Sequence, residues 1–385
     1  MSENSKNTYT FTLVGTAHPY RGGIAHFIEI MYSGFLKRGH NASIVTFTRQ
    51  YPGLFFPGKT QFIEEPVGNP VPTQRMIDTI NPFSWIKTAT YLHRHRPDAL
   101  VFKYWMPFFA PAFGTIARLA RKKGIRVFTV VDNALPHEKR LFDRRLSSYF
   151  LNANDGLVVM SDSVERDIRS LGIEKPVRRV AHPVYEIFGK PIEQKKAREQ
   201  MHLPHDKKII LFFGFIRRYK GLHVLLQAMP QIVKALPDLH LVVAGEFYDD
   251  EAFYRQILQQ HRLEEHVSWY NDYIPEEDIH KLFSAADLVV QPYVSATQSG
   301  VAQIAYNFNQ PLVVTDVGGL AEIVPHEKAG LVVPPQDPQA LARAVIRFFD
   351  EKMRDVLVKG VKTEKQKYSW DRLYEAIESL MQEVG

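Results

Sequence analysis

The chain has 385 residues, more than one ordinary domain holds, so we expect two domains. Its composition, 45% hydrophobic and 23% charged, is typical of globular proteins. The lack of cysteine excludes disulfides, thiol catalysis and cysteine-based zinc sites, and the formal net charge of +6 favours anionic partners.

The amino-terminal residues favour a cytoplasmic protein. Met1–Tyr9 is polar, and the first apolar run, Phe11–Val14, is far too short for a secretory signal peptide. The longest uncharged stretch, Tyr104–Ala117, contains two prolines and a glycine, and no run reaches transmembrane length.

Short apolar runs rich in β-branched and aromatic residues alternate with helix-length segments along the whole chain. In the first half we predict strands at Thr10–Gly15, Ala42–Thr48, Ala99–Tyr104, Val127–Val131 and Gly156–Met160, with Val177–Ala181 as a further candidate. In the second half we predict strands at Lys208–Phe213, Leu239–Ala244, Val267–Trp269, Leu288–Gln291, Leu312–Thr315 and Leu331–Val333. This alternation predicts an α/β protein with two doubly wound parallel-sheet domains, and a small-molecule site in the cleft between them.

Two glycines follow the first predicted strand. Gly22 and Gly23 let the backbone approach a ligand closely, and a helix begins at Ile24. The signal is weak alone. No Gly-x-Gly-x-x-Gly and no Walker-type phosphate loop occurs in the sequence, which counts against dinucleotide dehydrogenases and P-loop enzymes.

Two helix-length stretches, near Trp85–Arg96 and Phe108–Arg126, mix aromatic with basic residues. Within Phe113–Arg121 the apolar residues recur at helical spacing, and a basic cluster follows. A basic amphipathic helix of this kind can lie on anionic lipid. The alternative is a helix that packs its apolar face on the core and leaves a solvated basic side.

Polar residues follow the predicted strand at Val127–Val131. Asp132 could orient an acceptor hydroxyl or take its proton, and His137 is the other candidate for that role. The alternative is a helix-capping aspartate beside a surface histidine.

A basic turn follows the first strand of the second half. Arg217 can grip phosphate oxygens in a bidentate fork, Lys220 adds a point charge, and Gly221 opens a helix. Ligands bind beyond the carboxyl ends of parallel strands, so the position favours a phosphate site over a solvated basic turn.

A second anion-binding turn is predicted at Gln298–Val301. Ser299 and Gly300 form a small polar turn that opens a helix, whose first N–H groups suit a phosphate, and Gly318-Gly319 repeats the pattern after the next strand. Two such helix starts on neighbouring strands favour a nucleotide diphosphate; the alternative is two ordinary strand-to-helix turns.

No metal site and no cofactor is predicted. The sequence has no Asp-x-Asp triplet and no histidine pair at i, i+4 spacing, and His93 and His95, two residues apart, cannot share a helix face.

Taken in order, these segments resemble the retaining glycosyltransferases of family 4, the group 1 sugar transferases with the two-domain GT-B fold. The resemblance covers nearly the whole chain. It implies an acceptor-side domain over residues 1–188, a donor-binding domain over 189–368 and a crossover helix over 369–385, with Glu186–Asp206 as the connection. The matching segments are Gly22-Gly23, Arg217 with Lys220-Gly221, Asn271–Glu277, Leu282–Pro292, Gly318–Val324, Gly330–Pro334 and Tyr368–Trp370.

The resemblance also implies roles for individual residues. The glycine pair and the Arg217–Gly221 turn would face the donor phosphates, and the backbone near Tyr273 and Ile274 would hold the nucleotide base. The family's two glutamates, spaced Glu-x7-Glu for the donor sugar and the ribose, are replaced by Ala296 and Ile304. We therefore expect polar neighbours to take over, with Gln303 as the first candidate and Thr297 and Gln298 as others.

The resemblance implies a retaining, hexosyltransferase-like and metal-independent enzyme, which moves a sugar from a nucleotide-diphosphate donor to a glycan or lipid-linked acceptor. A peripheral contact with the inner face of the membrane would accompany a lipid-linked acceptor. Three alternatives stay open: a nucleotide-sugar epimerase on the same fold, a catalytically impaired sugar-nucleotide-binding protein, and a nucleic-acid-binding protein. The last has no supporting motif, and no nucleic-acid partner is expected.

Overall fold

The computed structural model describes residues 8–52, 60–63, 70–136, 141–272, 274–296 and 299–384. The chain divides into two compact units. Met1–Ala181 and Trp370–Gly385 form the first unit, and His182–Ser369 forms the second. The segment Glu186–Asp206 lies in the second unit and contains a helix at Gln194–Gln200.

The first unit is built on a seven-stranded sheet in which every strand pair is parallel. The strands are β1 (Thr10–Val14), β2 (Asn41–Arg49), β3 (Gln74–Asp78), β4 (Ala99–Tyr104), β5 (Arg126–Val131), β6 (Gly156–Val159) and β7 (Val177–Arg179). Their spatial order is β3-β2-β1-β4-β5-β6-β7.

Helices cover both faces of this sheet. They are α1 (Gly23–Lys37), α2 (Pro82–His95), α3 (Ala110–Arg121), α4 (Asp143–Leu151) and α5 (Asp162–Ser170), and the terminal helix Trp370–Glu383 joins them. On β4, Phe102 packs on Phe113 of α3, while the neighbouring Lys103 lies over Phe27 of α1. Successive strand residues point to opposite faces, so α1 and α3 lie on opposite sides of the sheet.

The second unit has a six-stranded sheet, also parallel throughout. Its strands are β8 (Lys208–Phe213), β9 (Leu239–Ala244), β10 (Val267–Tyr270), β11 (Leu288–Gln291), β12 (Leu312–Thr315) and β13 (Gly330–Val333). Their spatial order is β10-β9-β8-β11-β12-β13. Its helices are α6 (Gln194–Gln200), α7 (Leu222–Ala235), α8 (Glu251–Gln260), α9 (Glu276–Ala285), α10 (Gly300–Asn307), α11 (Leu320–Ile323), α12 (Pro338–Asp350) and α13 (Arg354–Lys365). The terminal helix Trp370–Glu383 of the first unit is α14.

The predicted fold class, two doubly wound parallel-sheet units, is confirmed. One strand, β3, was not predicted, because Gln74–Asp78 has only two apolar residues. It lies at the edge of its sheet and pairs with a neighbouring strand along one side only. The helix expected over Phe108–Arg126 is shorter. It ends at Arg121, a turn through Gly124 (φ +80°) follows, and Arg126 already belongs to β5.

The apolar face of α3 packs inside the first unit. Phe113, Ile116, Ala117 and Ala120 are at most 1% exposed, so they are not accessible to lipid. The structure agrees with the core-packing alternative for this helix. In the described residues, no helix is both long enough and apolar enough to span a membrane.

The terminal helix α14 returns to the first unit and packs on α1. Its Tyr374 covers Gly34 so closely that a Cβ at Gly34 would overlap the phenol ring, and the Tyr374 hydroxyl donates to the Ile30 carbonyl at 3.2 Å. Glu378 accepts hydrogen bonds from Arg38 at 2.8 and 2.9 Å and lies 3.0 Å from Nε2 of His40. An amphipathic helix far along the chain is thereby held by both packing and charge.

We predict that this contact depends on pH. Burial opposes ionisation of Glu378, but the hydrogen bonds from Arg38 and His40 outweigh burial and lower its pKa. A lowered carboxyl pKa stabilises the fold above the ordinary value near about 4.3, and the contribution is lost as pH falls through the folded-state pKa. Glu378→Gln should therefore cost about 1–2 kcal/mol of unfolding free energy at neutral pH, and the difference from the wild type should vanish once the pH has fallen below the folded-state pKa.

Urea unfolding at several pH values measures both effects. Glu375→Gln is the matched control, because Glu375 lies on the same helix and is exposed. A Glu378→Gln deficit that is unchanged across this pH range would contradict the prediction.

Candidate functional site

The connection between β8 and α7 forms a cationic turn. It begins at Gly214 (φ +102°) and ends at Gly221 (φ +72°), so both ends use backbone conformations that favour glycine. At Gly221 a Cβ would overlap the carbonyl oxygen of Pro292, which follows β11. The glycine therefore lets the turn lie directly against the end of the neighbouring strand.

Arg217 and Lys220 lie on this turn. The Arg217 guanidinium is 4.9 Å from the ring centroid of Tyr248, and the Lys220 ammonium is 5.1 Å from that of Tyr293. Within the part of the chain that the structure describes, neither forms an ion pair with a carboxylate. Burial lowers the pKa of Lys220, and the nearby charge of Arg217 lowers it further. An anion bound beside them would reverse this effect.

Arg218, between these two residues, has a different setting. It is exposed, and its guanidinium stacks 3.8 Å from the ring centroid of Phe253. Arg218 therefore packs on the protein surface, whereas Arg217 and Lys220 lie beside the strand ends.

The helix α10 begins beside the same turn. Ser299 is its N-cap: its hydroxyl accepts from the Ala302 amide at 3.2 Å and donates to Oε1 of Gln291 at 2.8 Å. The side chain of Ser299 therefore serves the helix itself, and the Gly300 and Val301 amides are left as the groups that could face a ligand. A Cβ at Gly214 would lie 3.4 Å from Cγ2 of Val301, so the two connections are in contact.

Tyr293 belongs to the same cluster. It is 3% exposed, and burial raises its pKa to about 12, so it stays a neutral phenol. The sequence alone did not identify it. The sequence signal that could have identified it was its position: Tyr293 is the second residue after the buried strand β11, next to Pro292.

Gln303 lies one turn into α10 and is 0% exposed. Among the described residues, neither its Oε1 nor its Nε2 has a hydrogen-bond partner. An unpaired buried amide costs about 1–3 kcal/mol, so native proteins keep few of them. Ala296 and Ile304, which the sequence analysis matched to two expected glutamates, are 9% and 7% exposed.

Ile274 lies in a different strand connection of the second unit. It follows β10, the outermost strand, which lies two strands away from β8. At about 4.8 Å for each strand spacing, that is roughly 10 Å along the same edge of the sheet. Tyr273 and Gln298 lie outside the described residues.

In the first unit, the predicted glycine pair begins α1. Gly22 is the N-cap with φ +107°, a conformation that favours glycine, and its carbonyl accepts from the amides of Ala25 and His26. Gly23 is exposed. His137 lies outside the described residues.

Asp132 lies just beyond β5 and is paired with a lysine that the sequence analysis missed. Its Oδ1 accepts from Nζ of Lys103 at 2.6 Å, and the same ammonium lies 3.4 Å from the ring centroid of Phe27. Lys103 is 1% exposed, and burial lowers its pKa although Asp132 opposes the shift. The available signal was a single charged residue inside the apolar strand Ala99–Tyr104.

This pair fixes the position of Asp132, because a buried ammonium without its carboxylate is costly. We predict that Lys103→Met lowers the unfolding free energy by about 2–4 kcal/mol, and that Asp132→Asn also destabilises. The double variant should be clearly more stable than the sum of the two losses implies, as measured by urea unfolding in a double-mutant cycle. Additive losses would show that the two groups do not interact.

Metal-ion ligands do not cluster in the described ranges: no group of three or more His, Asp or Glu residues is positioned to hold an ion.

Family models match both halves of the chain. Residues 193–364 match the model of glycosyl transferases group 1, and residues 22–183 match the glycosyl transferase 4-like domain. An uncharacterized glycosyltransferase of Methanocaldococcus jannaschii is 33% identical over 183 residues, which are 47% of this chain and 46% of that protein. A D-inositol 3-phosphate glycosyltransferase of Corynebacterium urealyticum is 27% identical over 253 residues, 62% and 58% of the two chains.

The chain thus spans about half the length of the curated relatives it matches. Among solved structures, HepE of Anabaena in complex with UDP and glucose is similar with a TM-score of 0.77 and 16% identity, over 97% of this chain and 99% of that one. At this identity the likeness concerns the fold.

Proposed function

Because the chain belongs to the group 1 glycosyltransferases, we propose that it transfers a sugar from a nucleotide-diphosphate donor to an acceptor hydroxyl with retention of configuration. The observation that carries the proposal is the cationic turn of the second unit, which lies against the start of α10. In the reaction, the bond from the anomeric carbon to the diphosphate breaks, a bond to the acceptor oxygen forms, and the acceptor proton passes to the leaving diphosphate.

The leaving diphosphate is the group that needs stabilisation. Arg217 would hold its oxygens in a bidentate fork, Lys220 would add a second charge, and the amides of Gly300 and Val301 would donate from the helix start. Preorganised donors of this kind stabilise the charge that develops in the transition state. The proposed chemistry needs no metal ion and no cofactor, because the nucleotide sugar is a substrate.

The acceptor side would lie in the first unit. Asp132, held by Lys103, would orient the acceptor hydroxyl, and Gly22 and Gly23 would let the backbone approach the donor phosphates. His137 is kept as a second candidate for the acceptor. The name of the Corynebacterium urealyticum relative supports sugar transfer as the reaction class. We propose a glycan or lipid-linked acceptor and a cytoplasmic location.

A second candidate is a sugar-nucleotide-binding protein with impaired catalysis. It is favoured by Ala296 and Ile304, which replace both glutamates of the family motif. Thermal-shift measurements on a panel of nucleotide sugars, followed by transfer assays with added acceptors, separate the two. A ligand at a hundred times its dissociation constant adds about 2.7 kcal/mol of stability, so binding is easily detected. Binding without transfer to any acceptor favours the impaired protein, and sugar conversion without an acceptor would indicate an epimerase.

The first prediction of the proposed function concerns the cationic turn. Arg217→Ala and Lys220→Ala should each reduce turnover about a hundredfold to a thousandfold, the scale for losing one preorganised donor to the transition state. Arg218→Ala is the matched control, because this exposed neighbour stacks on Phe253 and should leave turnover nearly unchanged. Equal effects at all three positions would remove the special role of Arg217 and Lys220.

The second prediction concerns Gln303. If its amide replaces the family's ribose contact, Gln303→Leu should weaken nucleoside diphosphate binding about threefold to tenfold by calorimetry. The protein should not lose stability, because the amide has no described partner to lose. Gln310→Leu is the opposite control: Gln310 donates to the Phe283 carbonyl at 2.8 Å, so stability should fall while affinity stays constant. Unchanged affinity in Gln303→Leu would place the ribose elsewhere.

The third prediction concerns metal. Since cationic side chains and helix amides would neutralise the diphosphate, activity should persist in excess EDTA. A complete loss that magnesium or manganese restores would rule out this account of the donor site.

A further inference from the structure

The helices α2, α3 and α4 form one layer on a single face of the first sheet, with α3 between the other two. The charge of this layer is almost entirely positive. The helices α2 and α3 contain no acidic residue, and the one acid of α4, Asp143, is only 9% exposed. The exposed basic residues of the layer and its adjoining turn include Lys87, Arg94, Lys122, Arg144 and Arg145. Arg121 is also exposed, but it pairs with Asp155 at 2.6 Å.

The same layer carries most of the exposed apolar bulk. Of ten large hydrophobic side chains that are exposed in the described residues, six lie on or next to α2 and α4. Leu141 is 91% exposed, Phe83 81%, Phe142 57% and Ile86 52%. Single exposed apolar residues are ordinary, but a concentration beside basic residues marks an interaction surface.

The arrangement along α2 shows how the two properties combine. Ile86 and Lys87 lie three and four residues after Phe83, Thr90 lies three residues after Lys87, and Arg94 lies four residues after Thr90. All five are exposed, so they form one outward stripe from apolar to basic. At the start of α4, Arg144 and Arg145 follow Leu141 and Phe142, with only the nearly buried Asp143 between the two pairs.

We infer that this layer, hereafter the basic helical face, docks on an anionic lipid surface. Exposed Phe and Leu side chains enter the headgroup region, and each basic residue near the surface adds favourable interaction with anionic headgroups. A nucleic acid would use the cations but would leave Leu141 and Phe83 without favourable contacts. The basic helical face has almost no carboxylates, so its charge is complementary to that of a uniformly anionic surface.

Docking through the basic helical face has a consequence for the chemical class of the acceptor. The helices α2 and α4 start at the carboxyl ends of β3 and β5, and Asp132 lies at the end of β5, so the apolar part of the face and Asp132 share one edge of the sheet. Resting on the proposed function, this placement favours a lipid-linked acceptor over a free glycan.

The test is sedimentation of the whole chain with vesicles of phosphatidylcholine, alone or mixed with phosphatidylglycerol, at low and high salt. The wild type should bind the anionic vesicles at low salt and much less at high salt. Lys87→Glu/Arg144→Glu should weaken binding by at least about thirtyfold, the effect of two interfacial charges. Phe83→Ser/Leu141→Ser should weaken it at both salt concentrations.

Two controls match these variants in the second unit. Lys195→Glu/Lys196→Glu reverses two exposed charges on α6, and Val356→Ser removes an apolar side chain that is 64% exposed on α13. Both should bind like the wild type. No binding to anionic vesicles at low salt, or equal losses in control and face variants, would overturn the inference. So would RNA binding as tight as vesicle binding and unaffected by Phe83→Ser/Leu141→Ser.

Vesicle binding needs neither a nucleotide sugar nor turnover. If the protein binds vesicles but transfers no sugar, the docking surface is supported and the proposed function is not. If it transfers sugar but does not bind vesicles, the proposed function is supported and the docking surface is not.

Discussion

Parallel strand pairing is the constraint from which the rest of the structure follows. Within each sheet the carboxyl ends of all strands meet at one edge, while helices bury both faces of the sheet. Polar side chains are costly inside such a sheet, so the groups that can do chemistry lie where the strands end. Asp132, Gly22, Arg217 and Tyr293 all lie there, although they come from four different strands.

The two units satisfy their charges in different ways. In the first, Asp132 is paired with Lys103, so its orientation is set by the protein itself. In the second, Arg217 and Lys220 rest against aromatic rings and have no carboxylate partner among the described residues. A carboxylate that already has an internal partner is suited to positioning a neutral hydroxyl. Cations without a carboxylate partner are suited to binding an anion.

The sequence was sufficient for the fold wherever burial was complete. Strands such as Lys208–Phe213 and Leu239–Ala244 have the predicted bounds, because a strand covered on both faces must be apolar throughout. Burial is incomplete at a sheet edge, and β3 was missed there. The end of α3 was misplaced because basic residues continue past Arg121 into the turn, and charge alone does not separate a helix from a turn.

The candidate site was predictable in part. Turns with glycine and basic residues after strands could be read from local sequence, as with Gly221 and Lys220. The link between Asp132 and Lys103 could not, because 29 residues separate them and strand pairing alone brings them together. The burial of Gln303 and the capping role of Ser299 likewise depend on neighbours that only the folded chain supplies.

The terminal helix connects to Asp132 through one series of side chains. Trp370 at its start packs on Phe27 with ring centroids 4.8 Å apart, Phe27 lies under the Lys103 ammonium, and Lys103 holds Asp132. Trp370 lies 343 residues after Phe27 and 238 residues after Asp132 in the sequence. During synthesis the ribosome releases the first sheet long before α14, so the surroundings of Lys103 stay incomplete until the whole second unit has emerged. The first unit therefore cannot complete its packing before the second unit has been synthesised.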